Sequence, residues 1–388
     1  MIERSLYLED LNAGPPTVLA SAGYTDGALT REEILSLTGA SDDYRAWQVR
    51  RSRDNGRTWS AGEDIPGVVV DEKVGGIVTF PGGPIYDEKS SMLHRVIMKR
   101  IWPGNPVYTF EWSTHLHPFH DHVFVKEGDA EPVLLRYEDG PDWDPGNPFD
   151  PTFARTNRAY HGQSVRIQAD GTALHSMVCY PREVEIPHTV GGIVLMRRDP
   201  GEAIWRPSNQ VYVPPEISSR GLLEPDTAIL KDGRLLIVAR GSDTPQTPGR
   251  KWMTWSENGA RTLAPVREFT YADGTRFYSP SSFHRFVRSS RTGILHWIGN
   301  ICPHPPTGNL PRYPLVIGEI NEERMGLERD SLIVIDDRHP GEPEAIAFSN
   351  FHVIEDRETL DFEIFMMRDI ARHDNDWRRS VYRYVFKP

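Results

Sequence analysis

A chain of 388 residues, 38% hydrophobic and 26% charged, has enough apolar material to bury a large core, which excludes an extended disordered protein. Its formal net charge of −11, without a long Lys/Arg run, argues against nucleic acid or an anionic membrane as partner. The 32 Gly, 32 Pro, 10 Trp and 14 Tyr residues point to many short strands joined by tight turns, the balance of an all-β chain.

In chain order, the stretch Met1 to Leu8 mixes charges with isolated apolar residues and lacks the apolar centre of a leader, and no run of about 20 apolar residues follows. The expected location is the cytoplasm, and the widely spaced Cys179 and Cys302 are expected to be free, buried thiols of a reducing compartment. Thr17 to Ser21 reads as a strand. Arg31-Glu32-Glu33-Ile34-Leu35, inside Thr30 to Thr38, reads as a short helix with Thr30 as N-cap. The strand-like Ala46 to Arg50 then enters Ser52-Arg53-Asp54-Asn55-Gly56-Arg57-Thr58-Trp59. There an Asp that can bond nearby backbone N–H groups and a Gly that accepts positive φ predict a tight turn.

These elements make a first unit of residues 16 to 66, and the same grammar of strand, turn and apolar strand returns. A second unit runs from Gly83 to Trp143, and a third from Ser164 through the Asp170-Gly171 turn to Trp205. The fourth runs from Leu223 through Asp232-Gly233 to Gly259, and its close, Trp255-Ser256-Glu257-Asn258-Gly259, looks like a worn copy of the first turn. Tyr278 to Ile320 and Ala345 to Phe386 complete six. An Asp-Gly pair between apolar runs is a strong hairpin cue.

The SxDxGxTW string of Ser52 to Trp59 resembles the Asp-box, the hairpin signature of sialidase-type β-propellers. That resemblance implies an all-β, six-bladed, sialidase-like β-propeller, a single domain over residues 1 to 388, with Trp59 and Trp205 packed between or at the base of blades. Units of roughly 45 to 75 residues suit four-stranded blades with long loops.

The resemblance extends to the later units. Leu223-Glu224-Pro225, with Arg240 one hairpin later, is similar to the segment where the family carries a Glu that partners its nucleophilic Tyr and an Arg that grips the substrate carboxylate. Pro311-Arg312-Tyr313 resembles the strand that delivers a further Arg of that grip. Two guanidiniums on one carboxylate make bidentate, charge-assisted contacts, for which Arg is better shaped than Lys. By the same resemblance Asp42 or Asp43, or Asp26, of the first-unit loop takes the place of the acid/base Asp. Two departures stand out. Pro15 to Leu19 offers no Arg for the first grip position, and Phe348, in Ala345-Ile346-Ala347-Phe348-Ser349, stands where the family has its Tyr. A Phe cannot form the aryl-glycoside intermediate.

The expectation is therefore a carbohydrate-active enzyme, a sialidase-like glycoside hydrolase with a non-standard site, acting on an acidic oligosaccharide or glycoside without cofactor or metal. Glu224 is expected as nucleophile or base, Asp42 or Asp43 as acid, and Arg240 with Arg312 as carboxylate clamp. A second reading rests on His115-Leu116-His117-Pro118-Phe119-His120-Asp121-His122, four His in eight positions, and on Tyr160-His161. His117 or His161 as base with Tyr160 as acid, and His120 lining the substrate, would suit a polysaccharide lyase acting on uronates. A third is a non-catalytic, glycan-binding propeller.

Overall fold

The computed structural model describes residues 2–9, 17–37, 46–71, 75–103, 120–138, 157–181, 190–370 and 380–388. Antiparallel strands make up its regular structure, and a three-residue 3-10 turn, Arg329–Ser331, is the helical element among the described residues. Six sheets form the blades of a β-propeller, with blade order following chain order. Blade 1 is Thr17–Tyr24, Arg31–Leu37, Ala46–Ser52 and Glu63–Pro66. In blade 2, Gly75–Phe80 and Ile85–Asp87 share one edge of Met92–Pro103, followed by His120–Glu127 and Val133–Leu134. Val68–Asp71 adds a further strand beside Gly75–Phe80.

Blade 3 is Ala159–Ile167, Ala173–Cys179, Gly192–Arg198 and Arg206–Pro207. Blade 4 is Leu223–Ile229, Leu235–Arg240, Lys251–Ser256 and Arg267–Glu268. Blade 5 is built on Arg285–Arg288, Leu295–Asn300 and Leu315–Asn321, and blade 6 on Phe351–Glu355, Phe362–Met367 and Val381–Phe386. Glu3–Leu8 pairs with Val381–Phe386 as the outer strand of blade 6, so the two ends of the chain close the ring within one sheet.

The apolar core lies at the seams, because each strand alternates its side chains between two neighbouring blades. Leu236, Val238, Phe269, Phe277 and Trp297 fill the seam of blades 4 and 5, and Leu174, Leu195, Leu235 and Ile237 that of blades 3 and 4. The seam that closes the ring is more polar. Arg31 of blade 1 bonds Asp356 at 2.6 Å and Glu363 at 2.7 Å in blade 6, and Asn55 reaches Asp356 at 2.9 Å.

The turn after Ala46–Ser52 is held by its own side chains. Asp54 accepts the Thr58 N–H at 2.8 Å, and Ser52 Oγ accepts the Gly56 N–H at 2.8 Å, with Gly56 at φ 82°. In blade 4, Asn258 accepts the Thr262 N–H at 3.0 Å and Ser256 Oγ the Ala260 N–H at 3.0 Å, the same pattern with Asn and Ala in place of Asp and Gly. Trp205 is buried among Val194, Met196 and Ala173, whereas Trp59 is only half-buried, its ring 4.8 Å from the Arg50 guanidinium.

Three expectations need correction. The short helix expected around Arg31 to Leu35 is not formed: Arg31–Leu37 is a buried strand. Its glutamates are buried, one on each face of the strand, because each has a cation: Glu32 has Arg51 across the sheet and Arg95 of blade 2, and Glu33 has Arg50 across the sheet. The second blade begins before Gly83, and the sixth borrows the amino-terminal strand.

Candidate functional site

The inner strands of the blades end together. Arg357, after Phe351–Glu355, donates to the carbonyls of Asp26 and Ala28 after Thr17–Tyr24, and meets Glu88 after Ile85–Asp87 at 3.0 Å. Glu355 in turn accepts the Ser290 N–H at 2.7 Å. The starts of the inner strands therefore gather at the opposite end of the axis, and Tyr160, His161 and Glu224 all stand there. Inner strands of blades 3 and 4 run in close contact: a Cβ on Gly162 would lie 2.7 Å from the Pro225 carbonyl oxygen.

Glu224 is set apart by its backbone. Its φ is 45°, in the left-handed region that a non-glycine residue rarely occupies, and the pairing with Leu235–Arg240 shifts register between Leu223 and Asp226. Such a bulge re-aims a side chain, and strain of this kind persists only where surrounding contacts hold it. The carboxylate, 17% exposed, accepts a hydrogen bond from Arg240 Nη1 at 2.8 Å across 16 residues of sequence. Burial pushes its pKa up, but the charge and hydrogen bond of Arg240, helped by Arg312 and Arg220, more than reverse this and hold it below the usual value. Glu224 is thus ionised at neutral pH.

The guanidiniums are themselves braced. Arg240 Nε donates to Ser281 Oγ at 2.7 Å and Nη2 to Asn309 Oδ1 at 3.4 Å. Arg312 donates to the carbonyls of Asn309 at 3.1 Å and Ser281 at 2.9 Å and to Ser349 Oγ at 2.9 Å. Two short segments, Ser281 and Asn309, therefore bind both arginines. On the same inner strand the fully buried Asp226 ties blade 4 to its neighbours, accepting from Ser164 Oγ at 2.7 Å in blade 3 and from the Phe286 N–H at 2.7 Å in blade 5.

Beside Glu224, His161 Nδ1 lies 2.7 Å from the Gly162 carbonyl oxygen, which places the proton of the neutral ring on Nδ1 and leaves Nε2 as the basic nitrogen. Burial lowers its pKa, and the Gly162 carbonyl and the charges of Glu224 and Asp121 offset this only partly, so the ring is neutral near pH 7. Tyr160 stacks on it with centroids 4.9 Å apart. From blade 2, Arg100 grips the buried Asp121 with Nε at 2.7 Å and Nη2 at 2.9 Å, and Tyr180 lies within electrostatic reach of Asp121, Arg220, Tyr160 and Arg100.

Of the residues singled out in the sequence, Glu224, Arg240, Arg312, Tyr160 and His161 stand at this one end. Asp42, Asp43 and His117 lie outside the described residues, as does the side chain of His120, whose backbone opens His120–Glu127. Asp26 belongs to the other end, where it accepts the N–H groups of Ala28 and Thr30. Phe348 is corrected: it is 0% exposed in the core of blades 5 and 6 with Ile335, Phe351 and Tyr384, so its ring does not face the axis end. Arg220 and the Arg100–Asp121 pair were missed. For Arg220 the signal was its place four residues before Glu224 in a blade-opening loop.

Among the described residues no group of three or more His, Cys, Asp or Glu side chains is arranged to hold a metal ion. No protein-family model matches the chain, and no curated protein matches it by sequence. Solved structures do match. A NanB sialidase variant from Streptococcus pneumoniae superposes with a TM-score of 0.63 at 12% identity, over 99% of this chain and 70% of that one. A protein of unknown function from Dyadobacter fermentans gives 0.62 at 11% identity, over 100% and 99%. The α-L-arabinofuranosidase Arb93A from Fusarium graminearum gives 0.52 at 10% identity, over 99% and 97%. The fold of this chain is that of the sialidase-like six-bladed β-propellers.

Proposed function

We propose that the protein is a carbohydrate-active enzyme, a glycoside hydrolase that cleaves a carboxylate-bearing sugar at the Glu224 end of the axis. The observation that carries this reading is Glu224 itself: an ionised, partly accessible carboxylate on a strained bulge, with the guanidiniums of Arg220, Arg240 and Arg312 around it. Strain of this kind concentrates where a side chain has a task. Three cations around one anion also favour a second anion, and a sugar carboxylate can take over donors that now turn to Glu224 and Asn309. Both a sialidase and an arabinofuranosidase are found among the matching folds, and the arginines favour the acidic sugar.

In this reading Glu224 attacks the anomeric carbon or removes a proton from the attacking water, while Asp42 or Asp43 protonates the leaving oxygen. With Phe348 in the core, no tyrosine nucleophile is assigned to that position. A second reading is favoured by one observation, the neutral His161 whose Nε2 is left basic beside the stacked Tyr160. That pair suits removal of the C5 proton of a uronate by a lyase. Incubation with a panel of acidic oligosaccharides, recording both new reducing ends and the absorbance of an unsaturated uronate, tests both. New reducing ends without the absorbance support the hydrolase; both signals together support the lyase. Binding without either signal leaves a glycan-binding propeller.

A further inference from the structure

The two arginines of the clamp stand on one turn, and that turn is held from inside by a lysine. Lys251 opens Lys251–Ser256 in register with Arg240 and is 0% exposed. Its Nζ donates to the carbonyl oxygens of Pro280, at 3.2 Å, and of Ser282. Those carbonyls bracket Ser281, whose Oγ accepts the Arg240 Nε–H and whose carbonyl accepts from Arg312. Ser242 Oγ backs Ser281 Oγ at 3.1 Å, and Ser242 is tied by its N–H to Ser218 Oγ at 3.0 Å.

We propose that Lys251 is a positioning residue: by locking residues 280 to 282 it fixes the Arg240 and Arg312 forks relative to each other and so sets the preference of the site for a carboxylate. The inference rests on the reading of the Glu224 end as the substrate site. A buried amine is costly, and an apolar side chain of similar length would fill the same space. What it could not supply is two N–H donors for two buried carbonyls, which even a neutral lysine provides. Burial lowers the Lys251 pKa well below its ordinary value, and the charge of Arg240 adds to this; fully buried and turned to the two carbonyls, its Nζ braces the turn from inside and does not face the substrate. Without Lys251 the Ser282 carbonyl loses its donor and the Pro280 carbonyl keeps only the Ser282 N–H at 2.8 Å, which loosens the turn and with it both guanidiniums.

The test compares wild type, Lys251→Met and Ser281→Ala on two aryl glycosides that differ only in a carboxylate against its carboxamide. Lys251→Met is expected to raise KM for the acid about tenfold, more than it lowers kcat, and to change KM for the amide less than about threefold. A crystal structure of the variant should show the Ser281 to Arg240 contact broken. Should Lys251→Met not fold, Ser281→Ala, which removes one small acceptor, is expected to lower the acid-to-amide preference in the same direction. Wild-type turnover with an unchanged preference in either folded variant overturns the Lys251 inference alone. A wild type that neither turns over the glycosides nor binds the free sugar acid in calorimetry overturns the substrate-site reading and this inference with it.

Discussion

The two ends of the propeller axis use carboxylates in opposite ways. At the end where the inner strands finish, a set of aspartates complete their own turns: Asp26 accepts from Ala28 N–H at 2.9 Å, Asp170 from Thr172 at 2.9 Å, Asp232 from Arg234 at 3.0 Å, and Asp356 from Glu358 and Thr359 at 2.8 Å. The partners lie two or three residues away, as in any Asx turn, and the bonds are what the backbone needs in order to reverse. At the other end Glu224 serves no turn of its own. It sits at positive φ and spends its carboxylate on a guanidinium sixteen residues away. A carboxylate that closes its own turn stabilises the fold; Glu224, strained and turned away from its own turn, is the one the proposed function assigns to a ligand.

The largest expected effect comes from removing the charge that the comparison singles out. Glu224→Gln, which keeps an acceptor for Arg240 but removes the counter-charge, should lower kcat by about 10²- to 10⁴-fold in a protein that still folds, and steady-state kinetics on the preferred glycoside checks it. Next comes the fold end. Arg31→Met strips one partner from the buried Asp356 and Glu363 and should cost about 3 to 5 kcal/mol in urea unfolding, without a matching loss of kcat.

The same seam predicts a pH dependence. Burial raises the Asp356 pKa, but the N–H groups of Thr359 and Glu358 and the charge of Arg31 outweigh it, so the folded value lies below the unfolded one of about 3.9. Its contribution is present above that value and fades as pH falls through the lower folded pKa. The urea midpoint should be level from about pH 7 to 5 and drop below about pH 4, more steeply in wild type than in Arg31→Met. A smaller effect is expected for Arg240→Lys, which keeps the charge but loses the fork that joins Ser281, Glu224 and Asn309; KM for the acidic sugar should rise about tenfold. The smallest is Asp232→Asn, which keeps the acceptor for Arg234 N–H and should shift stability by no more than about 0.5 kcal/mol and turnover by less than about twofold. A strong loss of turnover in Asp232→Asn would break the contrast between the ends.

Local signals were the legible ones. The Ser52 to Trp59 turn and its blade 4 copy could be read because their hydrogen bonds close within four residues, and the Asp-Gly pairs mark hairpins for the same reason. Glu224, Arg240 and Arg312, which the structure brings together, were singled out through a resemblance spread over the later blades. The strand Arg31–Leu37 was misread because its buried glutamates owe their place to arginines on neighbouring strands, which a window of seven residues does not contain. Phe348 was misplaced because an Ala-Phe-Ser context fits a core strand as well as a site. Lys251 and Arg100–Asp121 were invisible: a buried ion or amine is defined by partners 21 to 31 residues away, and by a burial that composition does not report.

Where a bound acidic sugar sits decides between the two ends most directly. A crystal of Glu224→Gln soaked with the sugar acid of a glycoside that wild type cleaves should show the carboxylate about 3 Å from the guanidinium of Arg240 or Arg312. A sugar held instead at the opposite end, beside Arg357 and Glu355, with Arg240 still bonded as in the free protein, would contradict the account.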